Sequence, residues 1–282
     1  MSNRNGRDVF FSTVRRESHA RDVLAIAMVP TGLTAIFLLP TPLKHSLTFS
    51  YIEPTGVTAV TAHFVHLNGS HLAANLLGFV LLATTGYILA VLGGRRRLFA
   101  VLLTTYLLVF PATLSILNLA VPRPAITYGF SGVNMALAGL LPLVLTEYSG
   151  RRLHGAISAQ LVPGLFFLVM TLVSLVAIPT QPTTLAVAAG SGLITLFYAR
   201  QFWHSLRTHN EYDHFWSRQP DQLDAWLEFG VLGAVVAIGY PLIGYPADPA
   251  AANQIVNIYV HTLGYALAFI GSYVGLEAGI LD

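Results

Sequence analysis

Eight long apolar stretches follow one another with short polar breaks, and nothing else in this 282-residue chain constrains its fold as much. They run approximately over 23–40, 70–92, 98–118, 131–147, 155–178, 183–200, 226–244 and 256–279. At about 1.5 Å per helical residue, each can cross a hydrocarbon core about 30 Å thick. A bilayer offers no partner to a bare peptide group, so segments of this length cross it as helices. Hydrophobic residues make up 54% of the chain and charged residues only 10%, too little charge to clothe a soluble surface. The expected class is an all-α polytopic membrane protein with about eight transmembrane helices. Pro30 falls inside the first stretch, where a kink is tolerated if neighbours satisfy the freed backbone groups.

Charge placement sets the expected orientation. Arg4, Arg7, Arg15, Arg16 and Arg21 precede the first stretch; Arg95, Arg96 and Arg97 follow the second; Arg151 and Arg152 follow the fourth; Arg200, Arg207 and Arg218 follow the sixth. All of these fall on one side of an eight-span chain, and only Lys44 and Arg123 fall on the other. The arginine-rich side reads as cytoplasmic. The expected location is the cell membrane, multi-pass, with both termini cytoplasmic. Residues 1–22 read as a polar cytoplasmic tail, 23–282 as one membrane domain, and 201–225 as a polar cytoplasmic connector anchored at the interface by Trp203 and Trp216. With no cysteine, disulfides, thiol catalysis and cysteine-ligated metals are excluded. No phosphate-cradling glycine motif is present, so neither a nucleotide nor another cofactor is expected, and no nucleic-acid partner.

Three polar pieces interrupt this apolar background. The first is Tyr128-Gly129-Phe130-Ser131-Gly132-Val133-Asn134-Met135-Ala136, at the mouth of the fourth stretch after Pro122 and Pro124. Alone, a G-x-S-G tetrapeptide is weak evidence of chemistry, since Gly and Ser also serve close helix packing. Helical spacing places Ser131, Met135, Ala138 and Gly139 on one side. The second piece opens the last stretch, where His261 heads a helix face shared with Gly264, Ala268, Gly271 and Gly275. An ionisable residue there is either an interfacial anchor or a functional group. An odd number of intervening spans puts Ser131 and His261 at the same outer depth.

The third piece runs from His63 through His66 and His71 to Asn75, opening the second stretch on that same side. His71 and Asn75 are four apart and project from one helix face. Imidazole and carboxamide are hydrogen-bond donors of the kind that stabilise an oxyanion. A polar cluster knitting helices together is the alternative for His63 and His66. A metal site is disfavoured, because no carboxylate lies nearby and Asn75 would be unexplained. Asn68-Gly69-Ser70 fits a glycosylation sequon, but one that abuts a helix start.

Together the pieces resemble the rhomboid family of intramembrane serine proteases, whose pattern is H-x4-H-x3-N on the second span, G-x-S-G opening the fourth, and His on the last. The matching positions are His66, His71 and Asn75; Gly129, Ser131 and Gly132; and His261. The resemblance implies Ser131 as nucleophile and His261 as general base. It implies an oxyanion hole of His71, Asn75 and the Ser131 N–H, with His66, Gly129 and Gly132 in support. It also implies a rhomboid-like helical bundle, here a six-helix core with two added spans between Ser131 and His261. Implied partners are the transmembrane helices of other proteins, cut near their outer ends, and the bilayer itself. The chain departs from the pattern in three places, the first being that three spans instead of one separate Ser131 from His261. Residues 44–69 lack the Trp-Arg pair of many relatives, so that loop must be anchored differently to the membrane, and Met135 stands where some relatives carry Tyr. The rival readings are a rhomboid-like protein that binds helices without cutting them, and a transporter with a histidine-lined path, for which no internal repeat is evident.

Overall fold

The computed structural model describes residues 2–153, 161–177, 181–208, 220–245 and 258–281. Its helices are α1 (Ser2–Glu17), α2 (Ala20–Phe37), α3 (Thr41–Ser46), α4 (Gly56–Thr61), α5 (Gly69–Leu92), α6 (Arg96–Leu108), α7 (Phe110–Asn118), α8 (Ser131–Arg152), α9 (Val162–Ala177), α10 (Pro182–Thr208), α11 (Pro220–Ile243) and α12 (Ile258–Glu277). Among the described residues, five apolar segments are long enough to cross a membrane: Ala20–Phe37, Gly69–Leu92, Pro182–His204, Ala225–Ile243 and Ile258–Glu277. A sixth is the pair α6 and α7, bent by 47° where Pro111, at the start of α7, interrupts the backbone ladder. The protein is therefore a multi-pass, membrane-embedded helical protein. Of the other two expected spans, α9 is apolar but shorter, and α8 carries Asn134, Pro142 and Glu147 in its interior.

The chain divides into two compact units. One holds α1, α9, α10, α11 and the C-terminal ends of α5 and α8. Here the expected polar tail is a helix. Phe10 of α1 is buried against Trp226 and Phe229 of α11, ring centroids 5.0 and 5.5 Å away, and Arg7 pairs with Glu228 at 3.3 Å. Glu17 accepts from Arg152 at 2.7 Å. The same guanidinium donates through Nε to the Leu92 carbonyl at 3.0 Å and lies 4.9 Å from the Trp226 ring. One arginine thus ties the tail helix to the ends of α5 and α8. The expected connector is also partly helical: α10 runs beyond Arg200 to Thr208, and Trp203 stands 56% exposed on it. Trp216 lies outside the described residues.

The second unit holds α2, α3, α4, α7, α12, the N-terminal parts of α5 and α8, and α6 from Arg97. The loop after α2 is anchored inside this unit. Lys44 is buried, donating to the Phe37 carbonyl at 3.1 Å and lying 4.4 Å from the Phe37 ring. Two short strands, β1 (Phe49–Ser50) and β2 (Ile126–Thr127), pair antiparallel, with Phe49 opposite Thr127. Tyr51 extends the pairing by donating its N–H to the Ala125 carbonyl at 3.2 Å. Its hydroxyl accepts from Asn118 and Arg123, and the Arg123 guanidinium covers the Tyr51 ring at 4.4 Å. Lys44 and Arg123 are thus both held on aromatic rings.

Replacing Arg152 with Met should keep the apolar stem but remove three charge-assisted hydrogen bonds. The expected loss is about 2 kcal/mol, seen as a lower unfolding temperature in detergent. An unchanged melting curve would remove Arg152 from the account of how α1 docks.

Candidate active site

The site begins with the loop that precedes α5. Asn68 caps this helix, its Oδ1 accepting from the His71 N–H at 2.8 Å and the Ser70 hydroxyl at 3.0 Å, so the sequon asparagine is engaged as a helix cap. Just upstream, residues 62–66 grip the turn before α8. The Gly129 N–H donates to the Ala62 carbonyl at 2.9 Å, and the Phe130 N–H donates to His66 Nε2 at 3.4 Å. Gly129 has φ +111°, a conformation that L side chains rarely adopt. A Cβ on it would also sit 2.5 Å from the His71 ring. The backbone conformation therefore calls for glycine here, and any side chain would also have to displace the His71 ring.

Phe130 caps α8, its carbonyl accepting from Val133 and Asn134 at 3.0 Å each. Ser131 is then the first helical residue. Among the described residues, neither its hydroxyl nor its backbone N–H has a hydrogen-bond partner, and the Gly132 N–H is also free. Free N–H groups in a helix's first turn carry its partial positive charge. An oxygen gaining negative charge beside Ser131 would meet donors already in place.

Glycines bring α12 to this turn. A Cβ on Gly264 would run into the Gly132 carbonyl, and one on Gly132 would sit 2.7 Å from Val260 Cγ1. Farther down, Gly139 meets the backbone of Tyr265 and Phe269 and the side chain of Ala268. These contacts advance along both helices together, so α8 and α12 run parallel. The pairs His71 with Gly129 and Asn75 with Asn134 show the same for α5 and α8. The three polar pieces therefore share one end of the unit. His261 is buried, and its chain neighbour Val260 packs on Gly132, the neighbour of Ser131. No Ser131–His261 hydrogen bond forms among the described residues. The buried face of α12 is broader than its small residues suggest, taking in Tyr265, Phe269 and Ser272, while Gly271 at its edge meets open space. α8 is buried on nearly all sides from Gly132 to Tyr148, not along one small-residue face.

The polar residues of the third piece take different partners. His63 Nε2 lies 3.0 Å from Ser115 Oγ, which itself donates to the Ala59 carbonyl at 2.8 Å, so the imidazole is the donor. His66 Nε2 accepts from Phe130 and from Asn75 Nδ2 at 3.1 Å, so that nitrogen carries no proton. Asn75 Nδ2 also donates to the His71 carbonyl at 3.1 Å, which commits both amide hydrogens within the protein. Asn75 could donate to an oxyanion only by releasing one of them. The His71 ring stands 5.0 Å from His66 and 5.7 Å from Tyr128, with its Nδ1 buried and unpartnered. Met135 is buried, and its Cβ lies against the Gly264 position.

Asn134 is the residue that sequence reasoning passed over. It is fully buried on α8 and donates Nδ2 to the Asn75 carbonyl at 2.9 Å. A carboxamide inside an apolar helix was the available signal.

Compared with protein-family models, curated proteins and solved structures, the chain matches none.

Gly264→Ala should cost about 1–3 kcal/mol, because the methyl meets a backbone carbonyl that has no other place to go. Thermal unfolding of the purified variant checks this, and wild-type stability would contradict the close approach of α8 and α12.

Burial lowers the pKa of His63 to about 4, against a weaker opposing effect of the Pro111 backbone. Burial also lowers His66 to about 3, helped by neighbouring His71 and opposed by the Phe64 backbone. Because both sit below the unfolded value of 6.5, acid loads protons onto the unfolded chain first. Stability should be complete above pH 6.5 and should fall as pH drops toward about 4 and then about 3. Melting temperatures that stay flat from about pH 7 to about pH 5 would contradict neutral, buried imidazoles.

Proposed function

We propose that this protein is an intramembrane serine endopeptidase of the rhomboid type that cleaves the transmembrane helices of other proteins near their outer ends. The observation that carries the reading is the unpartnered Ser131, hydroxyl and N–H alike, on a turn packed through Gly132 and Gly264 against the helix bearing His261. In this reading eight helices cross the membrane, α8 and α9 included. A six-helix core then holds the site, with two spans added between Ser131 and His261.

The chemistry needs only these groups and water. Ser131 Oγ attacks the scissile carbonyl carbon while His261 takes the hydroxyl proton. The resulting oxyanion is held by the Ser131 N–H and by His71, whose ring lies over Gly129. Asn75 joins them if it gives up its bond to His66 or to the His71 carbonyl. His261 then passes its proton to the leaving amine, and the C–N bond breaks to leave an acyl-serine. A water molecule loses a proton to His261, attacks the ester and releases the new carboxyl terminus, and the proton returns to Ser131. Proton transfer of this kind contributes about 10²–10⁴-fold in rate, and one oxyanion donor about 10²–10³-fold. The substrate helix must unwind to present its peptide bond, so helix-weakening Gly, Pro or Ser near the cut favours cleavage.

The missing Ser131–His261 hydrogen bond favours a second reading, a rhomboid-like protein that binds helices without cutting them. Catalytic hydrogen bonds often tighten only when substrate is bound, so the first reading leads. The test is cleavage of a fluorescent single-span substrate, with fluorophosphonate labelling alongside. Wild type should cut and label; Ser131→Ala and His261→Ala should not cut, and Ser131→Ala should not label. A folded wild type that neither cuts a panel of helices nor labels leaves helix binding as the function.

A further inference from the structure

We infer that Asn134 is a positioning residue for the proposed hydrolysis, holding Asn75, and through it His66 and the Phe130–Ser131 turn, in register with the nucleophile. The inference rests on the reading of Ser131 as nucleophile. It concerns a residue that touches neither Ser131 nor the scissile bond in that scheme.

The hydrogen bonds form a closed circuit. Asn134 Nδ2 donates to the Asn75 carbonyl at 2.9 Å and approaches Asn75 Oδ1 at 3.4 Å. Asn75 Nδ2 donates to His66 Nε2, and His66 Nε2 accepts the Phe130 N–H. Phe130 returns to Asn134 through the cap bond from the Asn134 N–H to the Phe130 carbonyl at 3.0 Å. Ser131 lies inside this circuit, between Phe130 and Asn134 on the first turn of α8. Two of the links, Asn134 to Asn75 and Phe130 to His66, join the start of α8 to α5 and to the loop before it, so the circuit fixes the serine turn against the His71 side of the site.

The circuit also carries a cost that packing alone does not explain. Asn134 is fully buried, and its Oδ1 has no partner among the described residues. A buried acceptor without a donor destabilises the fold, so leucine would serve the helix interior better. Turning the amide round gives no relief, because its oxygen would then face the Asn75 carbonyl. The side chain is therefore held in one orientation, by the bond to Asn75, at the expense of its own oxygen.

The experiment compares purified full-length wild type, Asn134→Leu and Asn134→Asp. Cleavage kinetics, the rate of fluorophosphonate labelling at Ser131 and thermal unfolding are read across pH. A misplaced nucleophile costs rate more than substrate affinity. Asn134→Leu should therefore lower kcat and the labelling rate by about 10²-fold, with KM changed less than about twofold. A buried aspartic acid can donate to the Asn75 carbonyl only when protonated. Activity of Asn134→Asp relative to wild type should therefore rise as pH falls. The inference is overturned if folded Asn134→Leu keeps kcat within about threefold of wild type, or if its loss only follows the folded fraction while the Asn134→Asp ratio stays flat with pH. A wild type that neither cuts nor labels fails at the nucleophile itself, an outcome separate from any effect at Asn134.

Discussion

Gly264 against the Gly132 carbonyl is the contact on which the rest of the site depends. Inside a membrane, two helices gain little from burying apolar surface against each other, since lipid tails are equally apolar. Close association must come from dispersion at short range and from interhelical hydrogen bonds. Small residues permit the first, and α8 and α12 supply them at Gly132, Gly139, Gly264 and Ala268. The close approach runs beside Ser131 at one end and continues to Phe269, so it sets both the distance and the direction of α12. Larger side chains here would push Val260, and with it His261, away from the serine turn.

Polar accounting explains much of what surrounds that contact. A donor or acceptor far from water needs a protein partner, and most polar groups of this unit have one. His63 takes Ser115, His66 takes Asn75 and Phe130, and Tyr51 collects Asn118 and Arg123. Among the described residues, the Ser131 hydroxyl, the N–H groups of Ser131 and Gly132, the Nδ1 atoms of His63, His66 and His71 and, one turn deeper, Asn134 Oδ1 have no partner.

The helices were legible because their cause is local. Apolar runs bounded by Pro, Gly and Arg placed α2, α5 and α12 within a few residues, and the Phe130-Ser131 step marked the start of α8. The ordered tail and the extension of α10 were not legible. Both sequences are polar, and α1 is held by partners far along the chain, Trp226, Glu228 and Arg152, that no local pattern connects to it. The loop without a Trp-Arg pair was expected to be anchored differently to the membrane; what the fold adds is how it is tied within the protein. The anchors, Lys44 on Phe37 and Arg123 on Tyr51, combine charge with aromatic rings from separate segments.

The sequence by itself determined that the chain is helical and membrane-embedded, and which polar residues stand out against that apolar background. Both follow from composition and spacing within single segments. Tertiary structure alone decided that His71 lies over Gly129, that both amide hydrogens of Asn75 are committed, that Asn134 joins them, and that Gly264 rests on Gly132. These are meetings of residues far apart in the chain. They depend on how closely two helices can approach, which one missing Cβ decides and no periodicity encodes.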